Sequence, residues 1–135
     1  MDDSVSAAKF ERIRKAHLSE VMEDYVEMIA DLIEETGEAR AVDLAARFGV
    51  TSPTVNATIQ RLKRDGLVDA RPYRSIFLTK EGEKLANACK ERHQIVHDFL
   101  VSIGVPSDIA DADAEGMEHH ISEFTLSLFK KAISR

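Results

Sequence analysis

The stretch DAEGMEHH, residues 113–120, places two carboxylates and two imidazoles within the six positions from Glu115 to His120. Glu115, Glu118 and His119 are spaced i, i+3, i+4, so on a helix they share one face. Alone, the run is also what an ordinary acidic helix start looks like. Two other segments change that. In MEDYVEMI, Asp24 and Glu27 are again i, i+3 and flank an apolar stripe. In ERHQIVHDFL, His93 lies near the apolar face of a long helical pattern, a position usually held by a satisfied core histidine. Together these are four carboxylates and two imidazoles on three helices, each at a core margin. Carboxylates gathered there without a cation would repel one another and resist desolvation. A pair of divalent ions removes that penalty. No thiolate belongs to the set, and carboxylate plus imidazole suits Mn²⁺, with Fe²⁺, Co²⁺ and Zn²⁺ also accommodated.

The elements that must carry these residues are mostly helical. Apolar positions Val21, Tyr25, Met28, Ile29 and Ile33, with Leu32 alongside, predict a helix over about 19–35, stopped at Gly37. RAVDLAARFGV predicts a short second helix. TSPTVNATIQRLKRDGL predicts a third, capped by Ser52 with Pro53 in its first turn, apolar at Val55, Ile59 and Leu62, and ended at Gly66. Leu67–Ala70 and Ser75–Leu78 flank RPYR and read as a two-stranded hairpin. A long helix follows until Gly104 and Pro106, then short helices from about Ser107, from about Asp113, and over Ser122–Ile133.

Helix, short helix, turn, capped helix, hairpin is the order of a winged helix-turn-helix. Its second helix presents Ser52, Pro53, Thr54, Asn56 and Gln60 to base edges, and Arg61, Lys63 and Arg64 further along to phosphates. Arg71 and Arg74, with Tyr73 between them, sit at the hairpin tip and suit a flanking backbone or minor groove. Charge agrees: residues 40–80 carry 8 basic and 3 acidic side chains, whereas the whole chain is at -6. A winged helix used only for protein contacts remains the alternative.

Composition narrows the classes. At 135 residues and 44% hydrophobic, the chain can bury a real core and is not disordered. Its apolar runs are too short to span a membrane, and MDDSVSAAKFER carries no signal-peptide core, so the expected location is cytoplasmic. The single cysteine, Cys89, reads as a small helix residue in a reducing compartment and excludes a thiolate-rich zinc site. A dinuclear hydrolase or oxidase could use the same ligands. No nucleophile–base pair, HExxH or glycine-rich phosphate loop accompanies them, so a non-enzymatic protein is expected. A third reading is a metal-independent winged-helix repressor that senses a small molecule.

The stretches DYVEMIADLIEETGEARAVDLAARFGVTSPTV, GLVDARPYRSIFLTKEGEKLA, ERHQIVHDFL and DAEGMEHHISE resemble the manganese-responsive branch of the diphtheria toxin repressor family, over about residues 19–130. The resemblance implies a winged helix-turn-helix DNA-binding domain at 19–81 after an extension at 1–18. A helical dimerisation and metal-binding domain would follow at 82–135, with no SH3-like third domain. It implies two Mn²⁺ per subunit: Asp24 and His93 on one, His119 on the other, and Glu27, Glu115 and Glu118 serving or bridging both. The iron-responsive branch has methionine in place of Asp24 and cysteine in place of Glu115; harder ligands suit manganese. The implied protein is a homodimer that binds palindromic operator DNA and represses manganese uptake genes. Its dimer face would include Ile95, Phe99, Leu100, Phe124, Leu128 and Phe129. His97 reads as exposed or at the dimer edge. His120, about 100° around a helix from His119, reads as structural or supporting. Lys9, Arg12, Arg14 and Lys15 form either a helical arm or a solvated extension.

Overall fold

The computed structural model describes residues 3–71 and 74–134. It divides into a central unit, Met22–Asn87, and a terminal unit made of Met1–Val21 with Ala88–Arg135. The elements in chain order are α1 (Asp3–Thr36), α2 (Ala41–Phe48), α3 (Ser52–Arg64), β1 (Val68–Asp69), β2 (Phe77–Leu78), α4 (Lys80–Ser102), α5 (Ser107–Met117) and α6 (Glu123–Ile133). The mostly helical class with a winged helix is as the sequence predicts. No helix among the described residues is long and apolar enough to cross a membrane.

The central unit is organised by one apolar cluster. Tyr25, Val26, Ile29 and Leu32 of α1 meet Leu44, Val55, Ile59, Leu62, Val68, Ile76 and Ala86. The buried stripe of α1 therefore runs through Tyr25, Val26, Ile29 and Leu32, and Val21 is left exposed. Tyr25 stacks on Phe48 with ring centroids 4.5 Å apart, a geometry that contributes beyond the area buried. Gly49 takes φ 66 at the end of α2, a left-handed turn that glycine adopts at little cost. The cap of α3 is Thr51 rather than Ser52: its hydroxyl accepts from the Thr54 amide at 3.4 Å, and Ser52 and Pro53 fall inside the first turn. A hydroxyl one residue upstream does the same chemistry, and sequence alone does not separate the two.

The strands are shorter than the hairpin pattern predicts. Val68 pairs with Leu78 and Asp69 with Phe77, antiparallel. Ala39 supplies a third line, its carbonyl accepting from the Ile76 amide at 2.7 Å. α4 starts against this sheet. Thr79 donates its hydroxyl to the Gly66 carbonyl and accepts from the Gly82 amide. A Cβ on Gly82 would lie 2.0 Å from the Leu67 carbonyl oxygen, so only glycine permits this approach.

The terminal unit has a smaller core of Val96, Leu100, Ala110 and Ala114, flanked by Phe99, Val105, Ile121, Leu126 and Phe129. Phe99 and Phe129 stack face to face at 3.9 Å. The two short helices expected from Ser107 and from Asp113 are one, α5, because nothing in SDIADADAEGM breaks the backbone pattern. Ser122 caps α6 as expected, accepting from the Thr125 amide at 3.2 Å. Residues 3–18 continue the helical backbone of α1. Cys89 is buried.

Candidate metal centre and nucleic-acid interface

In the terminal unit, four predicted ligands converge. His93 comes from the middle of α4, Glu115 from the last turn of α5, and Glu118 and His119 from the turn that ends it. His93 Nδ1 lies 3.8 Å from Glu115 Oε1 and 3.7 Å from Glu118 Oε1, and His119 Nε2 lies 3.5 Å from that same Glu118 oxygen. Two ligands each about 2.1 Å from one ion stand roughly 3 to 3.5 Å apart, so these atoms need to close by only a few tenths of an ångström.

Burial gives the cluster its character. The Glu118 side chain and the His119 side chain are both fully buried, whereas Glu115 is exposed. A carboxylate withdrawn from water is costly unless a positive charge faces it. Arg92 reaches the Glu118 backbone carbonyl at 3.3 Å, which fixes the turn. His93 is oriented by a residue that sequence reasoning missed: Asp111 Oδ1 lies 2.8 Å from His93 Nε2. An ionised carboxylate only accepts, so in the neutral ring Nε2 carries the proton and Nδ1 keeps its lone pair. That lone pair faces Glu115 and Glu118, and Nδ1 is buried without a hydrogen-bond partner among the described residues. Carboxylate behind imidazole is how metal-binding histidines are usually held. Asp111 was visible in the sequence as i−4 to Glu115, but only the approach of α4 to α5 gives it a role.

The other two predicted ligands, Asp24 and Glu27, lie in the central unit. They are half-buried and one turn apart on one face of α1. His97 binds Asp98 through Nδ1 at 3.0 Å and Ser107 through Nε2 at 3.2 Å. His120 turns to Glu20, with Nε2 2.8 Å from Oε2.

The central unit presents the expected polar face. Ser52, Pro53, Thr54, Asn56, Gln60, Arg61, Lys63 and Arg64 are all exposed on α3, opposite buried Val55, Ile59 and Leu62. Arg71 and Arg74 are exposed beside the wing, and Tyr73 lies outside the described residues. Asn56, Gln60, Lys63, Arg71 and Arg74 line one groove. Lys63 also donates to the Ala70 carbonyl at 2.8 Å, joining α3 to the wing. Arg40, not singled out from sequence, lines the same groove, and Glu38 raises its pKa above the ordinary value by hydrogen bond first and charge second.

Of the apolar residues expected at a dimer face, Ile95 and Leu100 are instead buried within the chain, and Phe99 and Phe129 are spent on each other. Phe124, 73% exposed, and Leu128, 47% exposed, remain available one turn apart on α6.

A winged helix with a carboxylate–imidazole cluster in its helical partner unit defines the class of metal-dependent transcriptional repressors. The chain belongs to the iron dependent repressor family. The model of that family's N-terminal DNA-binding domain matches residues 17–76, and the model of its metal-binding and dimerisation domain matches residues 79–134. It is 56% identical over 121 residues to the transcriptional regulator MntR of Escherichia coli O6:H1, covering 90% of this chain and 78% of that protein. It is 40% identical over 101 residues to the HTH-type transcriptional regulator MntR of Bacillus subtilis, covering 75% and 71%. Among solved structures it matches a manganese-dependent transcriptional repressor in complex with manganese, at TM-score 0.75 and 29% identity, over 84% of this chain and 52% of that one. The manganese regulator SloR matches at TM-score 0.72 and 25% identity, over 84% and 53%. The chain thus spans about half the length of these solved proteins.

Proposed function

We propose that this protein is a manganese-responsive repressor that binds palindromic operator DNA as a homodimer when its carboxylate–histidine cluster holds Mn²⁺. The observation that carries the proposal is the fully buried Glu118 carboxylate, faced by His93 Nδ1 at 3.7 Å and His119 Nε2 at 3.5 Å. Such an arrangement favours a small hard-to-borderline divalent cation over a bare cluster. Similarity to a manganese-dependent repressor and to the manganese regulator SloR supports the choice of ion.

His93, Glu115, Glu118 and His119 would hold the ion on the terminal side. Asp24 and Glu27 would supply the donors from α1, as the family resemblance implies, with room for two ions. Bound Mn²⁺ supplies the positive charge that offsets the carboxylates. The residues do the rest. Asp111 holds the proton of the neutral His93 ring on Nε2, which leaves Nδ1 as the ligand atom. Arg92 keeps the 118–120 turn closed. Asp24 and Glu27 stand on the helix that also carries the DNA-reading unit's core residues Tyr25, Val26 and Ile29. Fixing those two carboxylates therefore fixes the helix on which that unit is built, and lowers the entropic cost of presenting α3 to a major groove. Asn56 and Gln60 would read base edges, while Arg61, Lys63, Arg64, Arg71 and Arg74 would hold phosphates. Phe124 and Leu128 would lie in the two-fold interface that sets half-site spacing.

The test is fluorescence anisotropy of a labelled operator fragment, first with chelator and then with Mn²⁺, on the wild type and on Glu115→Ala. Tight binding only with Mn²⁺, lost in Glu115→Ala, is the expected result. Equal binding with chelator and with Mn²⁺ would contradict the proposal and leave a metal-independent winged helix.

A further inference from the structure

The second histidine of the HH pair belongs to a further group of potential ligands, of which Glu20 also lies within ligand reach of His119. His120 Nε2 lies 2.8 Å from Glu20 Oε2. One turn earlier on α1, His17 Nδ1 lies 3.7 Å from that same oxygen. The two imidazoles meet edge to face, centroids 5.7 Å apart at 72°. One ligand atom from each of His17, Glu20 and His120 lies within 4.8 Å of the other two. All three belong to the terminal unit. None of them is among the six carboxylate and imidazole residues assigned to manganese above.

We propose that His17, Glu20 and His120 form a second, surface metal site that takes an imidazole-preferring divalent ion, Zn²⁺ foremost. Three features carry this. The donor set is two imidazoles and one carboxylate, which ranks zinc above manganese, whereas the cluster around Glu118 is carboxylate-rich. Zinc ligands about 2.1 Å from the ion stand roughly 3.4 Å apart, and the two distances to Glu20 Oε2, 2.8 and 3.7 Å, bracket that value. The site is also open: His17 is 68% exposed and His120 38% exposed, while Glu20 at 27% is the anchored member. An ion can therefore enter from solvent and keep a fourth position for water. The hydrogen bond between His120 and Glu20 places a proton between two ligand atoms, and the ion takes its place as the neutral ring shifts that proton to Nδ1. The consequence is local. Zn²⁺ here would pin the first part of α1 to the 118–120 turn, which also carries Glu118 and His119.

The experiment counts zinc. The full chain and its His17→Ala variant are titrated with Zn²⁺ against a chromophoric chelator. Both are prepared in a Glu115→Ala background, so that weakening of the carboxylate-rich cluster is common to the two. In the same samples, the imidazole resonances of His17 and His120 are followed by NMR. The expected result is one zinc equivalent fewer in the His17→Ala chain, with both rings of the parent shifting as Zn²⁺ is added. Equal stoichiometry with unmoved rings would overturn the site and leave a hydrogen-bonded pair that merely tethers α1. Because the count does not use DNA, its failure is separate from any failure of the manganese reading.

Discussion

The two units are stabilised by different physics. In the central unit, twelve buried apolar residues form one cluster, and Thr58 of α3 is buried as well. In the terminal unit, a cluster of four buried apolar residues is accompanied by Glu118 and His119, whose side chains are completely withdrawn from water. The first arrangement folds on hydrophobic burial and needs no ligand. The second leaves a carboxylate where water cannot solvate it, and its stability is tied to what positive charge faces that group. On the proposed reading, the terminal unit carries the buried part of the metal cluster, while α1 of the central unit brings Asp24 and Glu27 to it.

The sharpest way to break the contrast is a core truncation on the metal-independent side. Leu62→Ala removes a fully buried side chain of α3. It is expected to cost about 2–5 kcal/mol of stability, by the same amount with chelator and with Mn²⁺, in chemical denaturation. A cost that vanished in Mn²⁺ would mean that the central unit also leans on the metal. Next is Glu118→Ala. It should weaken Mn²⁺ binding by on the order of 100-fold, at the top of what supporting residues contribute or above it, as read by calorimetric titration. Asp111→Asn is smaller: it leaves every direct donor in place and releases the His93 ring. An effect of about 10-fold on Mn²⁺ affinity is expected, with no change in chelator-treated stability.

Two further changes sharpen the comparison on the DNA-reading side. Thr51→Ala should lose about 1 kcal/mol of stability through the lost cap of α3, whereas Ser52→Ala should be nearly silent, because the structure puts the cap at Thr51. Arg71→Ala should reduce the salt dependence of operator binding by about one phosphate contact and weaken all sequences alike. It should leave Mn²⁺ binding to the free chain untouched.

What the sequence made legible follows the same division. Local rules carried the central unit: the Gly49 turn, the apolar face of α3 and the wing all follow from spacing and turn chemistry. They missed only details set by neighbours, such as the Ala39–Ile76 bridge and the choice of Thr51 over Ser52. The candidate ligands His93, Glu115, Glu118 and His119 could be read from spacing together with the family resemblance. Their convergence could not, since it depends on how α4 packs on α5. For the same reason Asp111 and the His17–Glu20 pairing with His120 were invisible: each links residues far apart in sequence, 18 positions for His93 and Asp111 and 100 for Glu20 and His120. The expected dimer face failed in part because apolar periodicity marks what a helix buries, not against whom. Ile95 and Leu100 satisfy it within the chain.

The central claim is that occupancy of the metal cluster and operator binding are one coupled equilibrium. Coupling of that kind is reciprocal: the factor by which metal tightens DNA binding must equal the factor by which DNA tightens metal binding. The direct measurement is Mn²⁺ affinity by competition with a fluorescent chelator, on the free chain and on the chain saturated with operator. The account predicts tighter Mn²⁺ binding in the operator complex, by the same factor that Mn²⁺ confers on operator affinity. Identical Mn²⁺ affinity with and without operator would contradict it.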